Sequence, residues 1–201
     1  MRSLLEHPQI RPQLDAKHIR IGQVIFVGAA NQGSDLARRE NLDRLLMIFT
    51  AYLGSSDNPF VHDVLDKLSG LLAAVRKVLA QTATDLPGVA ALAPESELIH
   101  TLNESDVPLA GTPSFIRANF GNTTEPLLKL LEPISDQGFG NVLNDLVVPW
   151  RGVDNLGKRT ASGRPRLNFG SDTAPQGHWY HLNYFDSPDV RKFVAQRLGI
   201  A

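Results

Sequence analysis

Two segments near the carboxyl end carry the side chains best suited to act together in catalysis. Asp145 stands in the segment Asn-Asp-Leu-Val-Val-Pro, and His178 and His181 follow in His-Trp-Tyr-His-Leu-Asn-Tyr-Phe. A carboxylate that holds an imidazole in the required tautomer makes that imidazole a general base for an attacking hydroxyl. Asp145 and His181 are therefore the catalytic candidates, with Asp154 and His178 as alternates.

Each candidate also has a structural interpretation. Asp145 can be an aspartate that closes a turn, and His181 can be a histidine that packs or lies at the surface. His178 and His181 can instead be ligands of a metal ion, but a metal site needs a third protein ligand, and no His-Glu-x-x-His spacing is present. We predict no metal site.

The loop after the first predicted strand has small residues where the backbone must approach another group closely. It reads Gly-Ala-Ala-Asn-Gln-Gly-Ser-Asp over residues 28–35, and Ser34 or Asp35 can cap the next helix. The lysine of a phosphate-binding loop is missing, so we predict no nucleotide cofactor, and no cofactor of another kind. Loops at the carboxyl ends of parallel strands bind ligands, which makes Asn31, Gly33 and Ser34 candidates to line a pocket.

The rest of the chain alternates strand and helix patterns. Strands are predicted at residues 19–28, 113–120 and 166–169, and a loop over most of 151–177. Apolar periodicity predicts helices at residues 42–53, 61–79, 96–102, 125–134 and 189–198, the last with Phe193, Val194 and Leu198 on one face. This alternation predicts an α/β fold with few parallel strands, in one domain over residues 1–201, with a possible helical cap at 35–103.

Composition excludes several classes of protein. The 201 residues are 42% hydrophobic, enough for one core, and Lys and Arg (20) balance Asp and Glu (21) without a basic run, so we expect no nucleic-acid partner. No apolar run reaches the length of about 18 residues that a membrane span needs. Without cysteine or an apolar export signal, we predict a cytoplasmic location.

Four short motifs in order resemble the lipase/esterase-like branch of the α/β-hydrolase superfamily. They are Ala-Asn-Gln-Gly-Ser-Asp-Leu-Ala at 30–37, with alanine where proline is usual, Leu-Pro-Gly at 86–88 with Leu-Ala-Pro at 92–94, Asn-Asp-Leu-Val-Val-Pro at 144–149, and His-Leu-Asn-Tyr-Phe at 181–185. The resemblance implies a partial α/β-hydrolase fold, with flanking helices and a helical cap insertion. It further implies that Asp145 is the acid and His181 the histidine of a catalytic triad.

The nucleophile of such a triad is missing, because no Gly-x-Ser-x-Gly occurs in the chain. In the same resemblance, residues 1–8 form the helix that follows the nucleophile, with Leu4 and Leu5 facing the sheet. The chain is then the carboxyl-terminal half of a serine hydrolase, inactive alone, whose substrate is a small ester or acyl compound once a protein partner or the missing half completes it. The alternative is a non-catalytic binding or interaction module.

Overall fold

The protein has a parallel sheet with helices packed around it. Its computed structural model describes residues 2–38, 41, 70, 87–109, 111–121, 142–159, 163–176, 179–181 and 183–200. Within these residues the sheet has three strands, β1 (Ile25–Val27), β2 (Ser114–Ala118) and β3 (Arg166–Phe169), in the order β1-β2-β3 with both pairings parallel. This confirms the predicted α/β class with few parallel strands.

The strand bounds agree with the prediction for β2 and β3 but not for β1. The prediction of strand at residues 19–24 is wrong, and Ile19 is 47% exposed. The reason lies in the neighbouring strand. The register pairs Ile25 with Ser114, the first residue of β2, and Pro113 before it has no N–H to extend the ladder. The carbonyl of Val24 accepts the N–H of Ser114, and residues 19–23 have no pairing with β2.

The sheet is buried on both faces, as expected of parallel strands with continuous apolar sequence. Phe26 and Phe115, opposite each other in register, stack with ring centroids 5.5 Å apart. They pack with Leu5 and Leu156 on one face, whereas Ile116, the next residue of β2, belongs to the cluster on the other face. The second cluster consists of Ile116, Ala118, Phe169, Tyr184 and Val190.

Serine caps begin the two longest described helices. The helices are α1 (Arg2–Glu6), α2 (Arg11–Ala16), α3 (Pro87–Ala90), α4 (Glu97–Glu104), α5 (Trp150–Val153) and α6 (Pro188–Leu198). The hydroxyl of Ser96 accepts the N–H of Ile99 at α4, and that of Ser187 accepts the N–H of Val190 at α6. Gly199, at φ +69°, ends α6. α4 and α6 lie within two residues of their predicted bounds.

Three details of the helix predictions are wrong. Leu5 is buried but Leu4 is 48% exposed, because neighbouring residues of a helix point in different directions. Leu198, the last residue of α6, is likewise exposed, whereas Phe193 and Val194 pack against the core. The predicted loop at 151–177 begins with α5, since the carbonyl of Pro149 accepts the N–H of Gly152 and starts a helical turn.

A buried ion-pair cluster joins α1 to α4. Glu6 is fully buried, and its Oε2 lies 2.8 Å from Nε of Arg2 and 2.6 Å from Nη2 of Arg159. Both arginines also donate to the carbonyl of Leu102 in α4. Burial lowers the pKa of Arg2, and the charge of Glu6 opposes that effect. Because a buried carboxylate needs such partners, this cluster fixes α1 against the rest of the fold.

Several predictions lie outside the described residues. These are the helices at 42–53, 61–79 and 125–134, and most of the possible cap at 35–103. In the part of the chain that the structure describes, no helix is long and apolar enough to cross a membrane. In the same part, no group of three His, Cys, Asp or Glu side chains is placed to hold a metal ion.

Candidate functional site

Asp145 lies in a tight turn that its own side chain closes. Its carboxylate oxygen Oδ1 accepts the backbone N–H groups of Val147 at 3.1 Å and Val148 at 2.7 Å. The backbone N–H of Asp145 donates to the carbonyl of Val148, and Leu146 between them adopts φ +75°, an uncommon conformation for leucine. Asp145 is 1% exposed. The turn thus buries a carboxylate and satisfies one of its oxygens locally.

The second oxygen of Asp145 faces His181. Oδ2 lies 3.1 Å from the ring atom Nδ1, and the backbone N–H of His181 donates to the carbonyl of Asp145 at 3.0 Å. Two contacts therefore fix the ring to the turn. Nδ1 carries the proton when it donates to a carboxylate, which leaves Nε2 unprotonated in the neutral ring. Among the described residues, no hydrogen bond to Nε2 is found, so this nitrogen is the atom that can accept a proton.

Opposing effects act on the pKa of His181. Burial is the largest effect and lowers this pKa, but the charge of Asp145 and the hydrogen bond to it together raise the pKa above its ordinary value. The side chain of His181 keeps 26% of its surface exposed, so a substrate or solvent can reach part of the ring. The carboxylate thus favours the imidazolium that forms when the ring takes a proton.

Tyr184 is a third member of the site that the sequence analysis missed. Its hydroxyl donates to Oδ2 of Asp145 at 2.8 Å and accepts the backbone N–H of Ala118, the last residue of β2, also at 2.8 Å. Burial, followed by the negative charge of Asp145, raises the pKa of Tyr184 well above its ordinary value. The phenol is therefore protonated at neutral pH. Its position three residues after His181 was visible in the sequence, but its contact with β2 was not.

Gly28 explains why the loop after β1 needs a small residue. It has φ +51°, and a Cβ atom there would lie 2.8 Å from a ring carbon of Tyr184 and 3.0 Å from both Oδ2 of Asp145 and Nδ1 of His181. The backbone approaches the acid and the histidine so closely that no other residue fits without a shift. The close approach predicted for this loop is thus to Asp145, His181 and Tyr184.

The structure places the alternate acid, Asp154, away from His181. Asp154 lies in a separate ion-pair cluster, with Oδ1 3.0 Å from Nη1 of Arg117 and Oδ2 2.7 Å from Nε of Arg166. The guanidinium of Arg117 also stacks on the ring of Trp150 at 4.0 Å. Both oxygens of Asp154 are therefore paired with cations, and Asp145 is the acid that contacts His181. His178 lies outside the described residues.

The three predicted pocket residues make contacts that hold loops together. The hydroxyl of Ser34 donates to the carbonyl of Val147 in the Asp145 turn and accepts the N–H of Leu36. The amide of Asn31 donates to the carbonyl of Val153. Gly33, at φ +83°, approaches Pro94 so closely that a Cβ would lie 2.7 Å from its backbone. Ser34 thus supports the turn that carries Asp145, and a role in lining a pocket stays a prediction.

A polar groove of about 510 Å³ begins beside the same loop, at Gln32. Its other wall is α4, with His100 and Asn103, and the segment after α5, with Asn155 and Lys158. Asp145 and His181 do not line it. The described residues therefore hold a buried Asp-His-Tyr cluster and, apart from it, an open groove as candidate sites.

The comparisons with known proteins correct the sequence analysis. The family model described as a domain of unknown function (DUF7379) matches residues 1–199. No curated protein and no solved structure matches the chain. The assignment to the α/β-hydrolase superfamily is therefore wrong, because the match over almost the whole length is to this other family.

The physical reason for the error is that the motifs behind the resemblance are short. Glycine- and serine-containing turns follow many parallel strands, and here Gly33 and Ser34 make contacts that any such turn can use. The family match covers residues 1–199, a far longer stretch than the short motifs. The chain therefore belongs to the family described as a domain of unknown function (DUF7379).

Proposed function

We propose that Asp145 and His181 are the acid–base pair of a hydrolase that acts on ester or related acyl bonds. His181 takes a proton through Nε2 from the attacking hydroxyl, and Asp145 keeps Nδ1 protonated and stabilises the imidazolium. The observation that carries the proposal is the 3.1 Å contact between Oδ2 of a fully buried Asp145 and Nδ1 of His181.

The electrostatics of the pair support the proposal. A buried carboxylate is costly unless it is fully hydrogen-bonded, and the fold provides donors from the turn, from His181 and from Tyr184. A raised pKa of His181 means that the ring is a stronger base once it is neutral. A histidine with only a packing role does not need a buried charge beside it.

The described residues place no nucleophile beside His181. The sequence has no Gly-x-Ser-x-Gly, and among the described residues no Ser or Thr hydroxyl is hydrogen-bonded to His181. The proposal therefore assigns the attacking hydroxyl to a partner. The purified chain alone is expected to show no appreciable triad-dependent turnover, since no acyl-enzyme forms without a nucleophile.

An experiment with an added nucleophile tests the assignment. The purified protein is mixed with p-nitrophenyl acetate and methanol, and the release of p-nitrophenol above the buffer rate is followed. We expect acceleration by the wild type that is lost in His181→Ala and retained in His100→Ala, a histidine that lines the groove instead. General-base catalysis increases the reaction rate by about 10²–10⁴-fold where the substrate is well placed. Because the added methanol is not bound, we expect a much smaller increase in rate here.

Two outcomes count against the proposal. Equal rates for the wild type and His181→Ala would remove His181 from the role of base. Labelling of a serine in the purified chain by a fluorophosphonate probe would show that the chain has its own nucleophile, and would overturn the assignment of that group to a partner.

The polar groove favours a second candidate, a non-catalytic binding module. Its walls carry amide groups from Gln32, Asn103 and Asn155 and charged groups from Glu95, Glu104 and Lys158, which suit a polar ligand. Replacement of an amide that lines the groove, such as Gln32→Leu, would then abolish ligand-induced thermal stabilisation, whereas His181→Ala would leave it unchanged.

A further inference from the structure

The oxygen Oδ2 of Asp145 is shared between two donors from the same segment of chain. His181 reaches it through Nδ1 at 3.1 Å, and the hydroxyl of Tyr184 reaches it at 2.8 Å. The hydroxyl contact is the shorter of the two. A carboxylate oxygen has two lone pairs, so both contacts can exist together, but each donor withdraws charge that the other would otherwise use.

The other side of the tyrosine hydroxyl is fixed to the sheet. It accepts the backbone N–H of Ala118 at 2.8 Å, where β2 ends, and Tyr184 itself is 1% exposed within the core cluster on that face. An O–H that accepts one hydrogen bond becomes a better donor in the next, so the contact with Ala118 strengthens the contact with Asp145. The phenol therefore connects the last residue of β2 to the carboxylate.

We propose that Tyr184 is a positioning residue, which fixes the Asp145 carboxylate to the end of β2 and limits the negative charge that Oδ2 presents to His181. This inference rests on the proposed function, because it gives Tyr184 a role through the acid–base pair. Tyr184 acts by orientation and by partial neutralisation, and it takes no proton during the reaction.

The charged and titratable groups that bear on the cluster are few among the described residues. Asp145 is the charged group that acts on His181, and Arg117, in β2, contributes a weaker effect that lowers the pKa of Tyr184. Loss of the Tyr184 hydroxyl therefore removes one neutral hydrogen-bond donor from Asp145, whereas the contact with His181 remains. The negative charge at Oδ2 then acts more strongly on the imidazolium, and the pKa of His181 rises.

The test is the titration of His181 by NMR in histidine-labelled protein, with its signal assigned by comparison with His181→Gln. In Tyr184→Phe we expect the pKa of His181 to rise by about 0.5 units relative to the wild type. Tyr180→Phe is the matched control, since Tyr180 is also a buried tyrosine and lies on the opposite side of His181 in sequence. We expect no change of the His181 pKa in this control.

A purely structural role for Tyr184 gives a different result. Tyr184→Phe would then lower the melting temperature, because the N–H of Ala118 loses its acceptor, while the pKa of His181 stays within 0.1 units or so of the wild type. An unchanged or lowered pKa in a variant that is still folded at the temperature of the titration would overturn the inference. The measurement needs no turnover, so its failure and the failure of the hydrolase proposal are distinguishable.

Discussion

Replacing Asp145 by asparagine is the change that tests the site most directly. The carboxylate accepts two donors on each oxygen: the N–H groups of Val147 and Val148 on Oδ1, and His181 and Tyr184 on Oδ2. An amide has one oxygen and one NH₂ group, so its NH₂ must face one of these two pairs of donors. The backbone pair cannot adapt, whereas the ring and the phenol can.

We therefore expect the amide oxygen to keep the backbone donors and the NH₂ group to face His181. The ring then changes tautomer, with Nδ1 as acceptor and the proton on Nε2. Burial, which lowers the pKa of His181, is no longer opposed by a negative charge, so the pKa falls below its ordinary value. Since Nε2 now carries the proton in the neutral ring, the histidine cannot act as a base there.

The cost in stability follows from the hydrogen bonds that change. Hydrogen bonds to a charged acceptor contribute about 1.5–3 kcal/mol each. Asp145→Asn loses the charge, and the hydroxyl of Tyr184 must adopt another orientation. We therefore expect the free energy of unfolding to fall by about 2–4 kcal/mol. For a chain of this size, each 1 kcal/mol lowers the melting temperature by about 2–4 °C, which gives about 4–16 °C in total.

The assay combines two measurements on wild type and Asp145→Asn. Long-range ¹H–¹⁵N spectra distinguish the tautomers of His181 and give its pKa, and denaturant unfolding gives the free energy. Asp15→Asn is the matched control, because Asp15 is exposed and pairs with Arg11 on the same helix, an arrangement that contributes less than about 1 kcal/mol. An unchanged tautomer and pKa of His181 in Asp145→Asn would refute the electrostatic reasoning.

Three further changes test the surroundings of the site. In Gly28→Ala the new Cβ lies 2.8–3.0 Å from other atoms and the backbone has φ +51°, so we expect the free energy of unfolding to fall by about 2–4 kcal/mol. The control is Gly22→Ala, which has open space around it. In denaturant unfolding we expect its free energy of unfolding to stay within about 1 kcal/mol of the wild type. Glu6→Gln removes the charge beside the buried Arg2 and the partly buried Arg159 and is expected to cost about 3–5 kcal/mol. Glu104→Gln, whose ion pair is exposed, is expected to leave the free energy of unfolding nearly unchanged, and equal losses in chemical denaturation would contradict this. The folded-state pKa of His181 is raised, so its contribution to stability is fully present below the unfolded value of about 6.5 and is lost as pH rises through the folded pKa. The difference in unfolding free energy between wild type and His181→Gln should therefore shrink as the pH rises above about 6.5, and a difference that grows with pH would contradict this.

The sequence predicted those parts of the fold that depend on local pattern. β3 was predicted with its observed bounds, because Arg-Leu-Asn-Phe is a short run between turn residues. β1 was predicted too long, since an apolar sequence at 19–24 says nothing about where the neighbouring strand begins. A strand end depends on its partner, which lies almost 90 residues away in sequence here.

The site could be predicted only in part, for the same reason. The types of Asp145 and His181 and their order along the chain identified them as candidates. That order is compatible with a contact between them but does not require one. It could not supply the Tyr184 contact with Ala118, which joins residues on β2 and on the last turn before α6. Nor could it separate Asp154 from Asp145, because the arginines that pair with Asp154 lie on two different strands. The prediction failed where contacts between distant segments decide the role of a residue.

The complete occupation of the Asp145 carboxylate has a consequence for its chemistry. With two donors on each oxygen and 1% of the residue exposed, no lone pair remains to attack a carbon atom or to bind a cation. Carboxyl-modifying reagents such as carbodiimides should therefore not modify Asp145 in the folded protein and should react with it only after unfolding. The negative charge of Asp145 acts on a bound molecule through the imidazole of His181. The acid therefore changes the reactivity of His181 and does not react itself.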